Sequence, residues 1–396
     1  MQLHTMRTIL LILTLSSGPY LSLIAQDVSA TVLYNRLLNR DEQCLELVIR
    51  GDEVRYVGDG LLVAGAGSQV RLDRYYALAS RFVRYRLQFS EDTRAVFHGD
   101  VGIFKVYIDV ANKTIGFMTQ PQIEKTVGFL NSEHEYIVEI HREYQHSILR
   151  IIDVNTGEHT EISATHEGRG GHGKGVEAPG FAVGLQYDYY CFGITTGGPM
   201  LVKQMGVYSN LSDLTLLMYG DSITEPDGYY PKTDFPNAWT QLVIKQLEGK
   251  AATSARGGTT ILQVLKRIRN ELPYIKAKYV MVTIGTNGKN TEENLSELVE
   301  YIQSQGSIPI LNNIPANESG TQVSVNAEIE KVRKKYGIKG CRFDFATSVS
   351  NDGLKVDKTT MYLEDFDHKQ IYHHPNVKGA KLMFERTMID IPEIYQ

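Results

Sequence analysis

From Ala30 to about Tyr208, hydrophobic and polar residues alternate over short stretches, as in Arg81–Phe89 (RFVRYRLQF), 104–109, 136–141, 148–153 and 181–186. A period of two sends successive side chains to opposite faces of a strand, and these stretches are rich in Val, Ile, Tyr and Phe. Turn signals separate them, such as His98-Gly-Asp and Asn155-Thr-Gly157. Many short strands with no helical pattern between them predict a β-sandwich.

The pattern changes after Asn210. Residues 214–219 are a continuous apolar run, as suits a strand covered on both faces. Trp239, Leu242, Val243 and Leu247 then recur at helical spacing, followed by a second stripe of Ile261, Leu262, Leu265, Ile268 and Leu272. Residues 279–284 predict another buried strand. Leu295, Leu298, Val299 and Ile302 predict a third helix, with Asn290 and Glu293 at capping-box spacing before it. Strands at 308–311 and 341–345 and a closing helix at 379–388 complete an alternation that predicts a parallel three-layer α/β domain. The expected division is 1–25, 26–210 and 211–396.

Composition narrows the function classes. The 396 residues carry 46 acidic and 41 basic side chains, a formal charge of -5, so no cationic excess is available for a phosphate backbone and nucleic acid is not an expected partner. Residues 1–25 hold Arg7 as their one formally charged residue, an apolar stretch from Ile9 to Leu15, and small residues ending at Ala25. That is the pattern of a secretory signal cleaved after Ala25, giving a secreted or periplasmic protein without stable membrane insertion. Cys44, Cys191 and Cys341 lack the close pairing of a zinc site. In an oxidising compartment Cys44 and Cys191 are the candidates for a disulfide, if their Cα atoms approach.

Two glycine-rich stretches differ in promise. Gly168-Arg-Gly170-Gly-His-Gly173 fits nucleotide-loop spacing, but Pro179-Gly180 follows instead of a helix, so it reads as a surface loop. Gly220-Asp221-Ser222-Ile223-Thr224 directly follows the first buried strand, placing a serine hydroxyl at the carboxyl end of a parallel strand, where ligand chemistry concentrates. Serine needs a base to become a nucleophile. Further along come Arg256-Gly257-Gly258-Thr259-Thr260, Gly285-Thr286-Asn287 at the end of a strand, and His374-Pro375-Asn376-Val-Lys-Gly379.

In that order, over roughly residues 213–390, these blocks resemble the SGNH (GDSL-type) serine hydrolase superfamily. The resemblance implies an α/β/α hydrolase domain behind a jelly-roll or concanavalin-like sandwich. It implies Ser222 as nucleophile and His374 as its base. Ser222 N–H, Gly258 N–H (Gly257 as fallback) and the Asn287 amide would form the oxyanion hole, and Trp239 would be the family's downstream aromatic. No cofactor or metal is implied. Two positions depart from the family: Gly288 stands where the third block usually has Asp, and Ile371 stands where an Asp usually precedes the histidine. A Ser-His dyad, or an acid from Asp365 or Asp367, are the alternatives. His368, His373 and His374 with those aspartates form a competing metal-cluster reading, and Tyr187-Asp-Tyr-Tyr190 reads as cross-strand packing or a sugar platform. The expected activity is an exported carbohydrate O-acetylesterase acting on an acylated oligo- or polysaccharide. A lipid or thioester hydrolase, and a sugar-binding protein with a degenerate hydrolase domain, are the rivals.

Overall fold

The structure is a computed structural model that describes residues 30–41, 43–98, 105–118, 122–144, 146–165, 190–226, 229, 232–366 and 368–396. The candidate signal, the Gly168–Gly173 loop, residues 181–186 and Tyr187 to Tyr189 lie outside the described residues.

Fifteen described strands precede Asn210: β1 (Thr31–Leu37), β2 (Leu47–Arg50), β3 (Val54–Val57), β4 (Gly60–Val63), β5 (Gln69–Leu72), β6 (Arg81–Phe89), β7 (Arg94–His98) and β8 (Lys105–Asp109). They continue with β9 (Thr114–Phe117), β10 (Ile123–Thr126), β11 (Glu135–Glu143), β12 (His146–Asp153), β13 (His159–Thr165), β14 (Cys191–Thr196) and β15 (Met200–Ser209). One sheet runs β13-β12-β11-β6-β15-β4-β3 with β1 on β15, and the other runs β10-β9-β8-β7-β14-β5-β2. Every pairing is antiparallel, and the sheets meet face to face: the buried Tyr85 ring of β6 lies 5.1 Å from Phe97 and 5.4 Å from Phe192 of the opposite sheet. Val83, Leu87 and Phe89 point into the same core by alternation.

The second half is built on four parallel strands in the order β17-β16-β18-β19, comprising β16 (Leu214–Gly220), β17 (Ala251–Ala255), β18 (Ala277–Thr283) and β19 (Ile308–Leu311). Leu216, Met218 and Met281 face α1 (Trp239–Gln246) and the closing helix; Leu217, Tyr219, Val280 and Val282 face α2 (Ile261–Glu271), α3 (Glu292–Ser304) and α4 (Gln322–Tyr336). Alternate residues of one strand thus feed two separate cores, the signature of three layers. After α4 come the short α5 (Phe343–Ala346), a hairpin of β20 (Met361–Phe366) and β21 (Lys369–Pro375), and the closing helix α6 (Val377–Asp390).

Several expectations are corrected. Residues 341–345 are not a strand: 343–346 are helical, and only isolated bridges, Ile310 to Lys339 and Asn313 to Arg342, join that segment to the end of β19. β17 (AATSA), by contrast, carries little strand propensity and is held by pairing with β16. The cap of α3 is Thr291, which accepts from Asn294 N–H, while Asn290 Nδ2 donates to the Ile284 carbonyl at 2.7 Å. Cys44 and Cys191 are not joined by a disulfide; the Cys44 sulfur, in the loop after β1, sits 3.0 Å from the hydroxyl of Tyr34, which belongs to the sheet opposite Cys191. Tyr190 is buried, its hydroxyl accepting from Arg81 Nε at 2.9 Å, which makes it packing and not a platform.

The sandwich core and the α2 side of the parallel sheet form one continuous apolar cluster. Polar bonds reinforce the junction. Glu271 Oε1 accepts from Ala77 and Leu78 N–H at 2.8 and 3.0 Å, and Ala79 N–H donates to the Thr253 carbonyl at 2.8 Å. No helix among the described residues is long and apolar enough to cross a membrane.

Candidate active site

At the carboxyl end of β16 the chain turns sharply. Thr224 and Glu225 both donate N–H to the Asp221 carbonyl at 3.1 and 3.0 Å, while the Asp221 carboxylate accepts from Ile223 N–H at 3.0 Å. Gly220 is required there by space: a Cβ would lie 2.5 Å from the Thr283 carbonyl oxygen of the neighbouring strand. Asp221 is wholly buried. Burial pushes its carboxyl up to about 6, against the opposing pull of backbone N–H groups of Ile223, Gly285 and Thr286 and the Arg267 charge. The turn leaves Ser222 half-buried at the rim. Trp239, fully buried against Phe343, donates Nε1–H to the Ile223 carbonyl at 2.7 Å, so the family aromatic braces the turn.

His374 Nε2 meets Ser222 Oγ at 2.7 Å, across 152 positions of sequence. Its Nδ1 meets Glu364 Oε2 at 2.5 Å, and the His374 backbone N–H donates to the same oxygen at 3.3 Å. The carboxylate on the imidazole is therefore neither of the aspartates expected from sequence, nor absent as in a dyad. Asp365 points to the exposed side of β20, and Asp367 lies outside the described residues. In the hairpin register Glu364 stands directly opposite Ile371, the position where the family usually has its acid. The carboxyl has moved to the partner strand. A strand pattern over 361–375, recognised as a hairpin, would have brought Glu364 into consideration. No group of His, Cys, Asp and Glu able to hold a metal occurs among the described residues, and His373 instead packs edge-on to His374 at 4.5 Å.

The histidine segment is anchored from below. Asn376 caps α6 by accepting Gly379 N–H at 3.1 Å, and its Nδ2 donates to the carbonyls of Thr359 and Met361 at 3.0 and 3.1 Å. A Cβ on Gly379 would sit 2.2 Å from the Thr360 carbonyl, so only glycine admits this approach of helix to hairpin.

The remaining blocks converge on the same rim. Gly258 has φ +75, a left-handed conformation suited to glycine, and its N–H makes no hydrogen bond among the described residues. Gly257 N–H is taken by Glu225 Oε2 at 2.7 Å, which rules out the fallback donor. Asn287 is exposed and donates one Nδ2 proton to the Thr259 carbonyl at 3.0 Å, leaving the second for a ligand. Gly288, where the family has Asp, has φ +89. A hydroxyl bonded to an imidazole that a carboxylate orients, beside unspent N–H donors, can attack a carbonyl and hold the charge that develops on its oxygen.

Residues 218–382 match the model of the GDSL-like lipase/acylhydrolase family. This segment is a GDSL-like acylhydrolase domain. No curated protein matches the chain. Solved structures similar to it include a putative acylhydrolase from Bacteroides fragilis (18% identity, covering 46% of this chain and 88% of that one, TM-score 0.35). A catalytic mutant of the acetylxylan esterase Axe2 from Geobacillus stearothermophilus is 17% identical (46% and 95% covered, TM-score 0.36). The lectin-like defense protein arcelin-5 from Phaseolus vulgaris is 14% identical (46% and 99%, TM-score 0.33). The acylhydrolase domain carries Ser222, Gly258 and Asn287 just past the carboxyl ends of β16, β17 and β18, brings His374 and Glu364 to Ser222 on the β20–β21 hairpin, and follows the sandwich.

Proposed function

We propose that the protein is a serine esterase that removes small acyl groups, acetyl foremost, from a carbohydrate. The observation that carries the reading is the hydrogen-bonded series Ser222, His374, Glu364 within the acylhydrolase domain. His374 Nε2 takes the Ser222 proton as Oγ attacks the ester carbonyl. The tetrahedral oxygen is held by Ser222 N–H, Gly258 N–H and the free Asn287 proton. Its collapse expels the sugar alcohol, which His374 protonates, and leaves an acyl-serine. Water, deprotonated by the same nitrogen, then releases the acid. Glu364 fixes the imidazole tautomer and stabilises the imidazolium. Its presence removes the missing acid as a reason to read the domain as degenerate.

The carbohydrate half of the reading rests on the sandwich, an architecture common beside carbohydrate-active domains and an argument by analogy. Export rests on residues 1–25. The test is turnover of p-nitrophenyl acetate, butyrate and octanoate, with Ser222→Ala and His374→Ala alongside. Acetate-selective turnover lost by on the order of 10⁴-fold or more in both variants is expected. Preference for octanoate would favour a lipid hydrolase, and wild-type turnover no greater than that of the variants would leave a binding protein.

A further inference from the structure

A cluster of buried charged side chains, Asp221, Glu225, Arg256 and Arg267, lies behind the oxyanion loop. Glu225, 5% exposed, extends from the serine turn; Oε1 accepts from Arg256 Nη1 at 2.8 Å and Oε2 from Gly257 N–H at 2.7 Å. One carboxylate therefore grips two consecutive residues immediately before Gly258. Because Glu225 N–H also closes the turn on the Asp221 carbonyl, the nucleophile and the oxyanion donor are fixed to a common frame.

The sandwich holds the end of β17, the strand that leads directly into this loop. Ala255 N–H donates to the Tyr144 hydroxyl at 3.4 Å, Leu78 bridges Ser254, and Arg81 Nη1 donates to the Leu78 carbonyl at 2.7 Å. Arg267 of α2 adds Nη2 to the Ser254 carbonyl at 3.0 Å, Nη1 to Thr259 Oγ1 at 3.4 Å, and a bond to the Gly220 carbonyl. Burial, with Arg81 and Arg267 nearby, pulls the Arg256 guanidinium down to about 9, while Tyr75 opposes this. The Glu225 carboxylate offsets part of that cost through its bond to Arg256 Nη1.

We propose that Glu225 is the positioning residue of the oxyanion loop, and that the β-sandwich, which holds residues 253–255 through Leu78, Ala79 and Tyr144, is part of the active-site framework and not an appended module. This rests on the acyl-hydrolase reading above. An amide cannot replace Glu225, because one arm would turn N–H toward an N–H or guanidinium donor.

The test uses the full chain with Glu225→Gln, Tyr144→Phe and Asn287→Ala, reading kcat, KM and hydrogen exchange of amides 255–259. Glu225→Gln is expected to lower kcat about 10- to 100-fold, the scale of a misplaced site, with KM nearly unchanged. Adding Asn287→Ala should then cost less than it does in the wild type, since both changes damage one hole. Exchange at 255–259 rises in Glu225→Gln, and less so in Tyr144→Phe, which removes only the hydroxyl. Unchanged kcat and exchange in Glu225→Gln would overturn the proposal, as would a loss carried by KM alone, or full additivity with Asn287→Ala. Unchanged exchange in Tyr144→Phe overturns the part given to the sandwich. If the wild type turns over no ester, the acyl-hydrolase reading falls, and exchange alone decides whether Glu225 holds the loop.

Discussion

The turn that carries Ser222 and the hairpin that carries His374 meet across one 2.7 Å hydrogen bond, but they are anchored in different ways. Behind Ser222 stand Asp221, Glu225, Arg256 and Arg267, all buried, and their bonds run largely to backbone atoms of the serine turn, the Gly257 loop and the end of β17. Behind His374 stands a two-stranded hairpin whose strands pair with each other and no other sheet, with Leu363 and Asp365 exposed. The first side is rigid because moving it would strand buried charge; the second is fixed by the Glu364 carboxylate, the Asn376 cap at the root of α6 and a clasp from Glu318, whose Oε2 accepts from Tyr372 N–H at 2.9 Å and whose N–H donates to the Tyr372 carbonyl at 3.0 Å. The site joins a preorganised electrostatic cradle to a base that local contacts must aim.

That contrast is broken most severely at Glu364. Glu364→Gln keeps the shape but presents an amide to Nδ1, favouring the wrong tautomer, and kcat is expected to fall by roughly 10³- to 10⁴-fold with KM nearly constant. Glu364→Asp, one methylene shorter, should retain an intermediate rate. Steady-state kinetics of the two variants check this; a Gln variant within tenfold of wild type would show that His374 needs no acid.

On the cradle side, Asn287→Ala removes one proposed oxyanion donor at an exposed position, together with its bond to the Thr259 carbonyl. The expected loss is about 10²- to 10³-fold in kcat, and the melting temperature should stay within a degree or two, since a surface truncation has little else to disturb. Equal losses in KM and stability would mean that Asn287 holds the loop and not the reacting oxygen.

The rim of the cradle was legible in sequence, though not the charges behind it, and the reason is physical. Ser222, Gly258 and Asn287 sit where strands end, in turns whose glycines are demanded by a close carbonyl or a positive φ, so chemistry and backbone punctuation coincide. Ile371 misleads because position along the chain is a poor guide in a hairpin: Glu364 reaches the imidazole by register across strands, with a bulge between Met361 and Leu363. Arg256 and Glu225 were hidden for a different reason. They meet across 31 positions of sequence, and no local pattern announces that pairing. The same holds for β17, whose Ala, Thr and Ser form a strand only because β16 pairs with them.

Asp221 offers a quieter probe of the cradle. Its folded-state value, about 6, lies above the ordinary carboxylate range, so the native chain binds this proton more tightly than the unfolded one. The stability it contributes is full below about pH 4 and is lost as pH rises through about 6. Asp221→Asn removes the titration while an amide oxygen still faces Ile223 N–H. The melting temperature of the wild type relative to Asp221→Asn should therefore decline from pH 4 to pH 7, as thermal melts across that range will show. A flat difference would mean that the buried carboxyl titrates as it does in the unfolded chain.

The smallest effect expected is on the hairpin side. Asn376→Ala deletes a helix cap worth about 1 kcal/mol, and with it two bonds that tie α6 to the carbonyls of Thr359 and Met361. On a cradle-like support such a loss would change stability alone. Here the cap lies two residues from the base and holds the root of the strand that bears Glu364, so both groups aimed at Ser222 lose a constraint. A drop of a few degrees in melting temperature should accompany a fall of severalfold in kcat, measured well below the melting transition. Loss of stability with kcat untouched would show that the hairpin holds its register without the cap, and that the base side is the more rigid of the two.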